Sequence, residues 1–177
     1  MKILVDADSC PRPARELVLR TAARRDIPAV FAANRTIPGI AVFGAAVSGA
    51  AAGDAAKNAA AGNGAVMELC PPGEGEADNR IVALAAPGDL VITRDIPLAE
   101  RLLEKNVAAL DDRGGIFTRE AIRERLSTRN FLVALAESGL GAERKNRYGK
   151  RELKNFADAL DRELTRLSRQ KTGALPE

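Results

Sequence analysis

The feature that most constrains this chain is an order of patterns at its start. A short apolar run ends in an acid, a stretch of helical periodicity follows, and a second short apolar run comes after a brief link. Lys2-Ile3-Leu4-Val5-Asp6 is the first run, and it reads as a buried parallel strand. Asp8-Ser9-Cys10-Pro11 supplies cap residues and a proline, which together signal a helix start. Leu17, Val18, Thr21 and Ala22 then recur at helical spacing through about Arg25, and Ile27 to Ala33 reads as a second strand. Strand, helix, strand with short links is a βαβ unit. It implies a right-handed crossover and a parallel sheet.

The pattern repeats downstream. Ala65 to Cys70 reads as a strand and Glu76 to Ala86 as a helix. Asp89 to Thr93 is another strand, and a helix carrying Leu98, Leu102 and Leu103 follows Asp95. Val107 to Leu110 is a fifth strand. Asp111-Asp112-Arg113-Gly114-Gly115 is rich in turn residues. A helix opens at Thr118 and Glu120 and runs to about Ser138, with Gly139 as its stop. The last helix spans about Lys150 to Arg169. The expectation is one α/β domain over residues 1–177: three layers, a mainly parallel central sheet and C-terminal helices. The Ala/Gly-rich tract 44–64 has no apolar face and reads as a variable insertion.

Composition matters here for what it excludes. Apolar residues make up 46% of the 177 but aromatics only 3%, so the core must be aliphatic. There is no histidine, which removes Ser-His and Cys-His machinery and histidine metal ligation. The two cysteines, Cys10 and Cys70, do not suit a disulfide scaffold. No apolar run is long enough to span a bilayer, and an acid comes too early for a signal peptide, so a cytoplasmic protein is expected. The net charge of +3 is concentrated at one end: residues 143–171 hold ten Lys/Arg against five Asp/Glu. Arg144, Lys145, Arg147, Lys150 and Arg151 form the densest basic run. They are a candidate RNA contact, with a solvated helix face as the alternative. Oligomeric state is not readable.

Ligands of an open parallel sheet bind beyond the carboxyl ends of its strands. Asp6 ends the first strand and Asp8 follows it. Asp78 opens the helix after the third strand, and Asp95 lies just past the fourth, which could neighbour the first. Four acids from three distant segments thus belong to one rim. Clustered carboxylates repel unless a cation neutralises them, and oxygen ligands suit Mg²⁺ or Mn²⁺. Such a site would act on phosphoryl groups through an activated water. A plainer reading makes Asp8 and Asp95 helix caps, but capping does not account for Asp6.

Several strings carry a resemblance. They are Asp6-Ala7-Asp8-Ser9-Cys10-Pro11, Ala33-Asn34, Ala77-Asp78-Asn79-Arg80-Ile81, Gly88 to Ala99 and Leu110-Asp111-Asp112-Arg113-Gly114. Together they resemble the uncharacterised bacterial YaiI/YqxD-like family over nearly the whole chain. That family looks like a PIN-type domain, a fold used by Mg²⁺-dependent ribonucleases. The resemblance implies Asp6 as the strand-end metal ligand, Asp78 as the helical acid, Asp95 as the acid after the later strand, and Asp8 as an additional or supporting ligand. The family commonly has paired acids where this chain has Asp78-Asn79. Asn79 could still ligate through its carbonyl oxygen, without charge.

Two other readings stand beside a metal-dependent ribonuclease or phosphodiesterase. One is a PIN-like domain that binds RNA or a partner without cutting. The other is a haloacid-dehalogenase-like phosphatase with Asp6 as nucleophile and Asp8 as general acid, since Asp6-Ala7-Asp8-Ser9 resembles that strand end. Cys10, near a helix start, is a conceivable thiolate but reads better as a small buried thiol, and so does Cys70.

Overall fold

The computed structural model describes residues 1–37, 40, 42–43, 65–137, 148–171 and 173. Six strands form one sheet: β1 (Ile3–Asp6), β2 (Ala29–Ala33), β3 (Val42–Phe43), β4 (Ala65–Leu69), β5 (Leu90–Ile92) and β6 (Ala108–Leu110). Five helices accompany them: α1 (Arg12–Arg25), α2 (Glu76–Leu84), α3 (Ile96–Glu104), α4 (Arg119–Glu137) and α5 (Lys150–Lys171). The strands run in the order β3-β4-β2-β1-β5-β6 and every neighbouring pair is parallel.

Given this order, the right-handed crossover rule places the helices. From β1 the chain winds one way to β2, with α1 on one face. From β4 it crosses back over β2 and β1 to β5 and then reaches β6, so α2 and α3 must lie on the opposite face. Alternate residues of β1 show the division. Ile3 and Val5 pack with Ala14 and Val18 of α1 and with Phe156, Leu160 and Leu164 of α5. Leu4 faces the other way, among Ile81 of α2, Leu98 and Leu102 of α3, and Ile122 of α4. With helices on both faces the central strands are fully buried, which is why they read as continuous apolar runs.

The structure adjusts several sequence expectations. β2 begins at Ala29 because α1 ends on Asp26 in a left-handed conformation and the chain must turn before it can pair. The two-residue strand β3 was not foreseen. The Ala/Gly tract 44–64, Ser138 and Gly139 lie outside the described residues. Among those described, no helix is long and apolar enough to cross a membrane.

At the amino edge of the sheet, Asp89 is buried and acts as a hub. It accepts the Lys2 backbone N–H at 2.9 Å, the Lys2 ammonium at 2.6 Å and the Ala86 N–H at 3.1 Å. It thereby fastens the start of β1 to the start of β5. Asp89→Ala leaves these donors without an acceptor and is expected to cost about 2–3 kcal/mol, read as a lower urea midpoint with an unchanged slope.

The candidate acidic site

The winding direction reverses between β1 and β5, so the connections that leave their carboxyl ends run to opposite faces, and a crevice opens there. The first and fourth strands foreseen in the sequence are indeed neighbours, with Ile3 opposite Leu90 and Val5 opposite Ile92. Asp6, Asp8, Ser9, Asp78, Arg94 and Asp95 line one open depression at this edge. The four acids foreseen at the rim therefore share it.

Their positions follow from local hydrogen bonds. Asp6 is buried at the tip of β1, and its Oδ2 accepts the Ser9 hydroxyl at 2.6 Å and the Thr93 hydroxyl at 2.9 Å. Thr93 Oγ1 in turn accepts the Asp95 N–H at 3.0 Å, and Ser9 Oγ accepts the Arg94 N–H at 3.4 Å. These two hydroxyls stitch the 93–95 turn onto the end of β1. Asp95 is the N-cap of α3, its Oδ1 accepting the Leu98 N–H at 2.7 Å, so the capping reading holds for this residue alongside its place in the depression. It does not hold for Asp8. Pro11 occupies the N-cap of α1 without a side-chain cap bond, while Asp8 accepts the Asn34 N–H at 2.9 Å and pairs with Arg35 at 3.2 Å.

Asp78 sits in the first turn of α2, where the helix dipole favours an acid. Its carboxyl is nonetheless held above the usual carboxylate range, by burial first and then by the charges of Asp6 and Asp95, with Arg101 opposing. Asp78 thus senses both neighbours electrostatically, which the shared depression explains. Asn79 stands apart. It is exposed, it does not line the depression, and its carbonyl oxygen accepts from Arg101 at 2.9 Å.

The oxygen-only donor set fits a hard divalent ion. As placed, however, no group of three or more His, Cys, Asp or Glu side chains among the described residues forms a cage for one ion. Mg²⁺ usually keeps several waters and takes only one or two carboxylates directly. An ion at this edge would therefore take one or two of these carboxylates and fill its remaining positions with water.

The remaining candidates fall elsewhere. Arg144, Lys145 and Arg147 lie outside the described residues; Lys150 and Arg151 are exposed in the first turn of α5 and do not line the depression. That helix start is tied to the neighbouring loop, because Tyr148 donates its hydroxyl to the Asp112 carbonyl at 2.9 Å. Gly114 in this loop has φ +90°, and a Cβ there would lie 2.6 Å from the Asn155 carbonyl oxygen, so only glycine permits the close approach. Cys10 is buried, and its thiol is pushed up to about 12 by burial and then by Asp112, which agrees with the inert-thiol reading. Cys70 is likewise buried and pushed up to about 11. Among the described residues no lysine lines the depression, and a haloacid-dehalogenase-type mechanism would need one there.

Sequence reasoning missed Ser9, Thr93, Arg94 and Asp112 as members of this region. Their signal was present only as neighbours of the acids, in Asp8-Ser9, in Thr93-Arg94-Asp95 and in the Asp111-Asp112 turn. Asp112 is wholly buried, and neither of its carboxylate oxygens has a hydrogen-bond partner among the described residues. Arg94 Nε stands 3.4 Å from its Oδ1. Burial, then the neighbouring Asp111 carboxyl, pushes the Asp112 carboxyl up to about 7, with Arg94 opposing. Burial also acts to raise Asp111, but the neighbouring Asp112 carboxyl, the Arg113 N–H and Arg125 outweigh it and hold Asp111 low.

Fold and site together define a parallel α/β protein with an acidic depression at the topological switch of its sheet. Comparison with known proteins gives the family. The model of the family described as "Uncharacterized BCR, YaiI/YqxD family" matches residues 55–166, and the chain belongs to that family. Among curated relatives, a UPF0178 protein of Syntrophobacter fumaroxidans is 42% identical over 94% of this chain and 95% of its own length. Those of Myxococcus xanthus and Treponema pallidum are 41% and 40% identical over 94% and 96% of this chain, and over 96% and 84% of their own lengths. No solved structure matches the chain.

Proposed function

We propose that this protein is a Mg²⁺- or Mn²⁺-dependent phosphodiesterase acting on RNA, with Asp6, Asp78 and Asp95 holding the ion and Asp8 supporting them. The observation that carries the reading is the meeting of four acids from three distant segments in one depression, where Asp78 is held above the ordinary range partly by Asp6 and Asp95. Mutually repelling carboxylates at a ligand-binding edge are relieved by a cation. A bound divalent ion would supply an activated water and charge neutralisation at a phosphoryl group. With no histidine in the chain, proton transfer falls to carboxylates or water. Asp6, fixed by Ser9 and Thr93, keeps Oδ1 turned to the weaker 3.4 Å contact with the Ser9 N–H, which makes this oxygen the more available ligand.

One observation favours a second reading, a domain that binds RNA or another partner without cutting it: the carboxylates as placed do not close around one ion. Incubating the protein with mixed labelled RNAs and Mn²⁺, beside Asp6→Asn and Asp95→Asn, separates the two. Cleavage by the wild type that falls at least about a hundredfold in both variants supports hydrolysis. Cleavage that persists in them is a contaminant's. RNA bound and left intact under every divalent ion tried makes the protein a binding module.

A further inference from the structure

An acidic depression that receives a polyanion needs a fixed positive group as well as an ion, because four carboxylates repel phosphate at short range. Among the described residues, Arg94 is the only basic one that lines it. It is about half exposed, with 47% of its side chain accessible, yet it does not hang free. Its Nε lies 3.4 Å from Asp112 Oδ1, and Asp112 is completely buried with no hydrogen-bond donor to either oxygen among the described residues. A buried carboxylate holds a cationic neighbour in place, since losing it would leave the charge less compensated out of water. Nε is thus engaged, and no acceptor among the described residues takes the terminal amino groups of Arg94. Two other arginines stand near the acids, but Arg35 is tied to the more exposed Asp8 and Arg101 to the exposed Asn79, and neither lines the depression.

We propose that Arg94 is the phosphate-gripping residue of this site, with Asp112 as the buried carboxylate that positions its guanidinium and leaves the two terminal amino groups for the non-bridging oxygens of a phosphodiester. A planar guanidinium meets a phosphate with two parallel N–H bonds, and its geometry is lost in a lysine. Asp112 is a positioning residue, acting through Arg94.

The ligand in this proposal rests on the phosphodiesterase reading, and the test keeps the two apart. Binding of a labelled single-stranded RNA oligonucleotide is measured by fluorescence anisotropy in EDTA, with no ion present, across a salt series. Arg94→Gln is expected to bind at least about tenfold more weakly and to lower the salt slope by about one. Arg94→Lys is expected to keep the slope and lose part of the affinity. Asp112→Asn should weaken binding in the presence of Arg94 and have no further effect in Arg94→Gln, because the two act as a unit. Additive losses would give Asp112 a merely structural role and overturn its part of the proposal. Unchanged affinity and slope in Arg94→Gln, or no RNA binding by the wild type, would overturn the proposal as a whole. RNA held through Arg94 but never cleaved would sustain it while removing hydrolysis. Mn²⁺-dependent cleavage with normal RNA binding in Arg94→Gln would do the reverse.

Discussion

Asp6→Asn is expected to remove Mn²⁺ binding, with at least a hundredfold loss in affinity, while the protein stays folded. Replacing a residue that only supports a metal ligand already costs about 10–100-fold, and Asp6 is proposed as a ligand itself. The fold should survive because asparagine has the same shape. The Ser9 and Thr93 hydroxyls, which now donate to Asp6 Oδ2, can turn to accept from an amide instead. A second readout belongs to the same variant. Asp78 is held high by burial and then by Asp6 and Asp95, so removing the Asp6 charge should lower the Asp78 titration in an NMR pH series. In the wild type, an ion binding at Asp78 must displace its proton. Metal uptake should therefore strengthen as pH rises through a range above that of an ordinary carboxylate. Equal Mn²⁺ affinity in the wild type and Asp6→Asn, measured by calorimetry, would remove the acidic depression as a metal site.

The second large effect concerns stability and pH. The folded state raises the Asp112 carboxyl to about 7, so it holds this proton more tightly than the unfolded chain does. A group raised in this way contributes its full stability below its unfolded value, and the contribution is lost as pH rises through the folded one. Between pH 5 and 8 the protein is expected to lose about 2 kcal/mol from this source. Asp111 has the opposite sign: it is held low, so its contribution is present above its unfolded value and lost on acidification below that. It does not offset the loss between pH 5 and 8. Asp112→Asn cannot ionise and should flatten the decline, so its unfolding free energy should vary little over that window. A decline of the same size in the variant, followed by urea denaturation at each pH, would show that other groups cause it. The neutral variant also relieves a buried charge, so it should be the more stable protein at pH 8.

The legibility of the site differed from residue to residue. Asp6, Asp8, Asp78 and Asp95 could be read because each stands at a punctuation point, a strand end or a helix start, and parallel sheets bring such points to one edge. Asn79 was drawn in by adjacency to Asp78. Successive helical residues point about 100° apart, and its side chain turns away to Arg101. Asp8 looked like a cap because Pro11 follows it. Its partners, Asn34 and Arg35, are reached only through the parallel pairing of β1 with β2.

By itself the sequence determined the local alternation of strands and helices, the parallel pairing implied by short βαβ links, the aliphatic core and the absence of histidine chemistry. These are consequences of period, length and residue type, which need no distant partner. Only the tertiary structure decided the order β3-β4-β2-β1-β5-β6, the faces on which the helices lie, and the burial of Asp112 beneath Arg94. The physical reason lies in range. A turn such as Asp111-Asp112 looks solvated when only its neighbours in the chain are considered. Its carboxylate loses water because residues 36 positions away at Tyr148, and the close approach of Gly114 to Asn155, bring α5 down over the loop. Burial of a charge depends on what covers it, and the covering residues are set by the fold.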